Sequence, residues 1–316
     1  MIRIINRKKI LDINKVNFKK KWMISHAQCP YLVKFPKFFR IYFSTRERKS
    51  KEGNFISYSS YADFDKKNFL IKNVSKKPII SLGSLGEFNE FGNMLGSVIK
   101  EKKKYLMYFC GWTRKKSVPF DWAIGIAKSN NGSNFNKIFR SPIVTSKKDN
   151  SFLNACPMVY KFRNKFFMYF LSGVKWIKYK NRLEPIYKIK FASSNDGFNW
   201  KILNKNIIKS KTINECQTSP SIFYYKKKYH MIFSYRKGFD YRKNSNNSYK
   251  LGYSISSNLV NWKRKDKILK FSGKLEKEIQ DMQCYPNVFS IKNKFKILFC
   301  GNNFGKKGFF IADLKI

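Results

Sequence analysis

Tyr105-Leu-Met-Tyr-Phe-Cys-Gly111 is an apolar, aromatic run that ends on a small residue. It is too short for a helix and rich in the residue types that suit a pleated, buried strand. It has four counterparts: Arg40-Ile-Tyr-Phe-Ser44, Phe166-Phe-Met-Tyr-Phe-Leu-Ser172, Tyr229-His-Met-Ile-Phe-Ser234 and Phe295-Lys-Ile-Leu-Phe-Cys-Gly301. Their last residues fall roughly 61–67 positions apart, a single period running the length of the chain.

Working outward from each run, a second strand precedes it. Pro30-Tyr-Leu-Val33, Gly96-Ser-Val-Ile99, Pro157-Met-Val-Tyr160, Pro220-Ser-Ile-Phe223 and Pro286-Asn-Val-Phe289 occupy one offset. Proline is tolerated at a strand's first residue, and short basic turns such as Lys226-Lys-Lys228 read as hairpins. A third strand follows in Ile124-Gly-Ile-Ala127, Ile189-Lys-Phe-Ala192 and Leu251-Gly-Tyr-Ser254. A Ser-rich turn and an aromatic come next: Phe135, Trp200 or Trp262. That recurrence marks the aromatics as packing between layers. The apolar pairs Pro142-Ile143, Ile207-Ile208 and Ile268-Leu269 are the expected fourth strands.

Four strands per period are the content of a propeller blade. The expectation is therefore an all-β, five-bladed β-propeller of four-stranded antiparallel blades in one domain. Its blades span roughly residues 26–81, 93–144, 154–209, 217–270 and 283–316. The last period lacks a fourth strand, and Lys9-Ile-Leu-Asp12 looks like a strand without a blade. Pairing the two closes the ring and removes an exposed edge.

A chain of 316 residues that is 43% hydrophobic and 17% aromatic is a folded protein, despite a net charge of +47. Lysine is spread over turns and strand ends alike, with Asn and Ile abundant. This reads as a lysine-coated surface, with non-specific affinity for polyanions at low salt but no specific nucleic-acid site. Met1–Asp12 has no apolar core of signal-peptide length and no membrane span is expected, so the expected location is cytoplasmic. Six cysteines without a CxxC pair, and only two histidines, indicate neither a disulfide framework nor a zinc site. No phosphate-binding glycine loop or other cofactor motif is visible, so no cofactor is expected.

Several phrases resemble those of the five-bladed propeller superfamily of invertase, levansucrase and arabinanase type glycoside hydrolases. They are Ile41-Tyr-Phe-Ser-Thr-Arg46, Gly86-Glu-Phe-Asn-Glu-Phe-Gly92, Ala192-Ser-Ser-Asn-Asp-Gly-Phe-Asn-Trp200, Phe233-Ser-Tyr-Arg236 and Cys284-Tyr-Pro286. The chain is still more similar to glycosidase-like propellers of polysaccharide gene clusters and to the N-terminal domain of glucosamine inositolphosphorylceramide transferases. The resemblance implies a carbohydrate partner. It departs where those hydrolases carry an aspartate: Ser25-His26-Ala27-Gln28 has no carboxylate, Asn89 stands in the Gly-x-Phe-Asp phrase, and Glu215-Cys216 falls in the fourth repeat.

In a propeller, the loops entering first strands and leaving second strands line the central funnel. Glu215 and Asp281 are the expected acid/base pair for glycoside hydrolysis, which needs two carboxyl groups. His26 is a further proton donor. Arg46 and Arg236 are expected to clamp an anionic group on a sugar. Glu90, Trp112, Asn154, Trp176, Gln217, Gln283 and Asn302 complete the expected substrate contacts, with Glu184 in reserve. Hydrolysis competes here with a second reading, a non-catalytic propeller that binds a glycan or a protein. A funnel rich in Arg and Trp, with its carboxylates held in ion pairs, favours the second.

Overall fold

The computed structural model describes residues 1–14, 20–49, 55–147 and 152–316. Among them the chain is all strand and loop, apart from a 3-10 turn at Asp266–Ile268 and a helical turn at Asn302–Gly305. The first sheet runs Ser25–Lys34, Phe39–Arg46 and Ser57–Phe64, with Ile71–Val74 on the last of these. It continues through Gly92–Glu101, Lys104–Thr113, Asp121–Ser129 and Asn136–Lys137. Its two antiparallel halves meet at one parallel bridge, Ser57 to Gly92. A second sheet holds Phe152–Phe162, Lys165–Tyr179, Arg182–Ser194 and Lys201–Leu203; a third holds Cys216–Tyr225, Lys228–Arg236, Lys250–Ser256 and Lys263–Arg264. The last orders Cys284–Ile291, Lys294–Cys300, Gly308–Lys315, Ile2–Asp12 and Leu269–Phe271. Ile2–Asp12 pairs antiparallel with Gly308–Lys315 from Arg3 to Asp12, a longer seam than the sequence alone indicates.

The apolar runs form the second strand of each group because both their faces are covered. Phe43, Phe109, Phe170, Phe233 and Phe299 hold the same place in the five runs, and all are completely buried. Each such side chain contributes about 1.5–3 kcal/mol relative to exposure.

The fourth strands differ from expectation. They begin directly after the aromatic of the turn, at Lys201 and Lys263, because the turn is tight enough for pairing to resume there. Ile207 and Ile208 instead tuck into the core outside any strand, and Leu269 joins the neighbouring sheet through Ile2.

The turn phrase has a packing role. Tyr42, Tyr108 and Tyr169 each donate their hydroxyl to a carbonyl in the turn of the following strand group: Gly132 (2.6 Å), Gly197 (3.1 Å) and Leu259 (2.6 Å). The same tyrosines meet Phe135, Trp200 and Trp262 edge-on at 6.0–6.1 Å. The first three groups are thus each latched to the next by one hydrogen bond and one aromatic contact. Tyr169→Phe removes the donor and leaves the Leu259 carbonyl with only the Trp262 indole N–H (2.9 Å). The expected loss is about 1 kcal/mol, read as a lower urea midpoint with an unchanged slope.

Candidate ligand-binding site

Every sheet contributes to one cavity of about 340 Å³. Arg46, Trp112 and Arg236, at the ends of second strands, line it. So do Trp122, Tyr187 and Tyr249, which stand two residues before the apolar start of three third strands. Its described lining holds four arginines and many aromatic rings, but no aspartate or glutamate.

Arg236 is the centre of the charge. It is 2% exposed, with its guanidinium 3.6 Å from the centroid of the Tyr241 ring. Its nitrogens donate to the Tyr187 hydroxyl (3.2 Å) and to the carbonyls of Lys237 (2.8 Å) and Gly238 (3.2 Å). None of these acceptors carries a charge. Burial raises the Tyr249 phenol to about 12 and pushes Tyr187 up as well, so both stay neutral. No carboxylate among the described residues lies within ion-pair range of Arg236. A buried cation held only by dipoles favours a counter-ion.

Arg242 also stacks on Tyr241, 4.2 Å from the ring centroid, but it is compensated. It pairs with Glu184, whose other oxygen accepts from the Tyr241 hydroxyl (2.9 Å). Arg46 lies 5.1 Å from the Phe55 centroid, and its buried Nε has no partner among the described residues. Trp112 likewise offers a buried, unpartnered Nε1–H. Gly92 makes room for that indole, since a Cβ there would stand 1.8 Å from Nε1.

The other expected site residues lie outside this lining. Glu215 is 2% exposed and bound to Arg264 (2.7 Å), and it accepts from the Gln217 amide (2.7 Å). Arg264 also binds Asp266, so the group is a closed ionic cluster. Asp281 accepts from the Asn302 amide (2.9 Å), and the Asn302 oxygen in turn accepts from the Asp281 and Met282 backbones. Gln283 donates to the Ile279 carbonyl. Glu90 accepts from Gly86 N–H within its own loop (3.0 Å). Asn154 is fully buried, and neither end of its amide has a partner among the described residues. Trp176 supports the wall from behind, edge-on to Phe120 at 5.4 Å.

His26 also sits behind the wall, edge-on to Phe55 at 6.0 Å. Burial, with Arg46 and Lys306 nearby, lowers its pKa to about 3, so the folded ring is neutral near pH 7. The unfolded chain binds a proton there near pH 6.5. His26 therefore contributes stability that is full above about pH 6.5 and is lost as pH falls toward 3. Comparing urea midpoints at neutral and mildly acid pH checks this: wild type is expected to lose more on acidification than His26→Asn.

Sequence reasoning missed Trp122, Tyr187 and Tyr249, although all three hold one position of the repeat. The third-strand segments that face the ends of the second strands reach the pocket too, so the repeat itself carried the signal.

The fold is similar to that of solved propeller glycoside hydrolases. An RGII complex of BT0996 matches it with a TM-score of 0.72 at 14% identity, covering 99% of this chain and 92% of that one. An endo-arabinase from Bacteroides thetaiotaomicron matches at 0.63 and 11% identity, covering 98% of each chain. A thermostable family-43 glycoside hydrolase matches at 0.62 and 13%, covering 94% of this chain and 91% of that one. In sequence, the chain is 25% identical over 300 residues to the uncharacterised protein Rv1502 of Mycobacterium tuberculosis (strain ATCC 25618 / H37Rv), covering 93% of this chain and 94% of that protein. The uncharacterised protein MT1551 of Mycobacterium tuberculosis (strain CDC 1551 / Oshkosh) matches over 300 residues with the same identity and coverage. No family model matches the chain.

Proposed function

We propose that the chain is a single five-bladed propeller whose central pocket binds a carbohydrate carrying a phosphate or carboxylate, without hydrolysing it. The blades are those read from the repeat, roughly residues 26–81, 93–144, 154–209, 217–270 and 283–316, with the N-terminal strand closing the ring. The two halves of the first sheet, joined by one bridge, count as separate blades in this reading.

The observation that carries the reading is Arg236, a buried guanidinium in the pocket with only neutral partners among the described residues. Tryptophan and tyrosine faces supply the stacking surface a sugar ring uses, and Arg46 supplies a second donor. Hydrolysis requires an acid and a base or nucleophile flanking the scissile bond. Glu215 and Asp281 are engaged elsewhere, so the non-catalytic alternative is favoured over the hydrolase-like one. A cytoplasmic setting fits a sugar precursor as the ligand.

Calorimetric titration of the protein with hexose phosphates, hexuronic acids and the corresponding neutral hexoses tests this. Anionic sugars are expected to bind and neutral ones to bind at least tenfold more weakly. Equal affinity for both, or turnover of aryl glycosides that survives Arg46→Met and Arg236→Met, overturns it.

A further inference from the structure

The five first strands share one irregularity. Their register slips at Gln28/Tyr31, Leu95/Ser97, Ala155/Met158, Thr218/Ser221 and Cys284/Asn287. In four of the slips a residue leaves the ladder together with the proline after it (Cys29, Cys156, Ser219 and Tyr285), and in the fifth Gly96 leaves it, directly after Leu95. The four before prolines take left-handed backbone, with φ of 52° at Cys29, 51° at Cys156, 50° at Ser219 and 56° at Tyr285. A bulge re-aims the side chain it carries, and here the ladder on either side holds the strain. These four, with Leu95 and Gly96, line one small cavity of about 10 Å³, and Leu95, Cys156 and Tyr285 also line the main pocket.

This arrangement sets two thiols from different sheets against each other. Cys29, Cys156 and Ser219 line the same small cavity, and Cys156 lines the main pocket as well, beside Thr218. Both are partly accessible, whereas Cys110, Cys216, Cys284 and Cys300 are buried. The neighbouring Cys29 thiol holds the Cys156 thiol below its ordinary value against its burial, while burial pushes Cys110 and Cys284 up. Of the two residues only Cys156 also lines the main pocket, so it is the one a small oxidant in the pocket meets first.

We propose that Cys156 is a site of oxidation by peroxide at the floor of the pocket, with Cys29 as the thiol that resolves it into a disulfide. The Cys156 thiolate attacks one peroxide oxygen, the O–O bond breaks and, after proton uptake, water leaves Cys156 as a sulfenic acid. The Cys29 sulfur then attacks the Cys156 sulfur, the S–O bond breaks and a second water departs. The two electrons lost by the thiols reduce the peroxide, and a dithiol reductant restores them by exchange. The proposal rests on the thiol geometry and is independent of which sugar, if any, the pocket holds.

The test is thiol counting on the intact protein. After equimolar hydrogen peroxide, alkylation under denaturing conditions is expected to find two fewer free thiols, with a Cys29–Cys156 linked peptide that dithiothreitol abolishes. Cys29→Ser is expected to leave a sulfenic acid at Cys156 that dimedone labels, and Cys156→Ser to prevent the disulfide. The wild-type count needs no variant, so a poorly folding substitution does not decide the result. An unchanged count, or oxidation spread evenly over all six cysteines, overturns the proposal.

Discussion

Arg236→Met is expected to weaken binding of an anionic sugar by at least about 30-fold. Truncating one member of a buried, hydrogen-bonded charge pair costs about 2–5 kcal/mol, and each 1.4 kcal/mol is tenfold in affinity. Methionine keeps much of the side-chain volume against Tyr241, so the substitution removes charge more than packing. The specific readout is the difference between ligands: affinity for the neutral hexose is expected to change little. Raising salt is expected to mimic the substitution only weakly, since a buried site is screened much less than an exposed one. Equal losses for charged and neutral sugars indicate a collapsed pocket instead, and unfolding midpoints measured alongside separate the two outcomes.

The second large effect is on stability. Glu215→Ala is expected to cost about 3 kcal/mol and to leave sugar binding unchanged. Removing one partner of a buried ion pair costs about 3–5 kcal/mol because the other charge remains buried. Asp266 still faces Arg264, which places this case at the lower end. The hydrolase-like reading makes the opposite forecast: loss of turnover with stability kept. Urea unfolding of Glu215→Ala, beside a glycoside assay of the same protein, distinguishes them. A midpoint equal to wild type removes Glu215 from the ionic cluster as a stabilising member.

Much of the strand plan was legible because it obeys one rule repeated five times. An apolar run covered on both faces has to be a middle strand, and Phe43, Phe109, Phe170, Phe233 and Phe299 satisfy that rule without exception. The site was half legible. Arg46, Trp112 and Arg236 end those same runs, so their place in the chain gave their place in space. Glu215 was misleading because a carboxylate at a strand entrance looks the same in sequence whether it meets a ligand or an arginine. Its partner Arg264 lies on the outer strand of its own sheet, a pairing set by side-chain direction rather than by spacing. Asn302 was similar, since its amide closes a loop onto Asp281. The latches from Tyr42, Tyr108 and Tyr169 were hidden for another reason. Each reaches about 90 residues ahead, and only the fold brings its acceptor near.

The seam between Ile2–Asp12 and Gly308–Lys315 carries a kinetic consequence. On the ribosome, Ile2–Asp12 emerges long before Gly308–Lys315, its partner in the sheet. Until then it is an unpaired β-edge open to a wrong partner. Bringing such remote segments together late makes the final step a non-local closure, which raises contact order and slows folding relative to hairpin formation within each sheet. Moving the chain break to a surface turn, so that those two strands become a hairpin, would make that slow closure a local event while leaving the finished molecule the same.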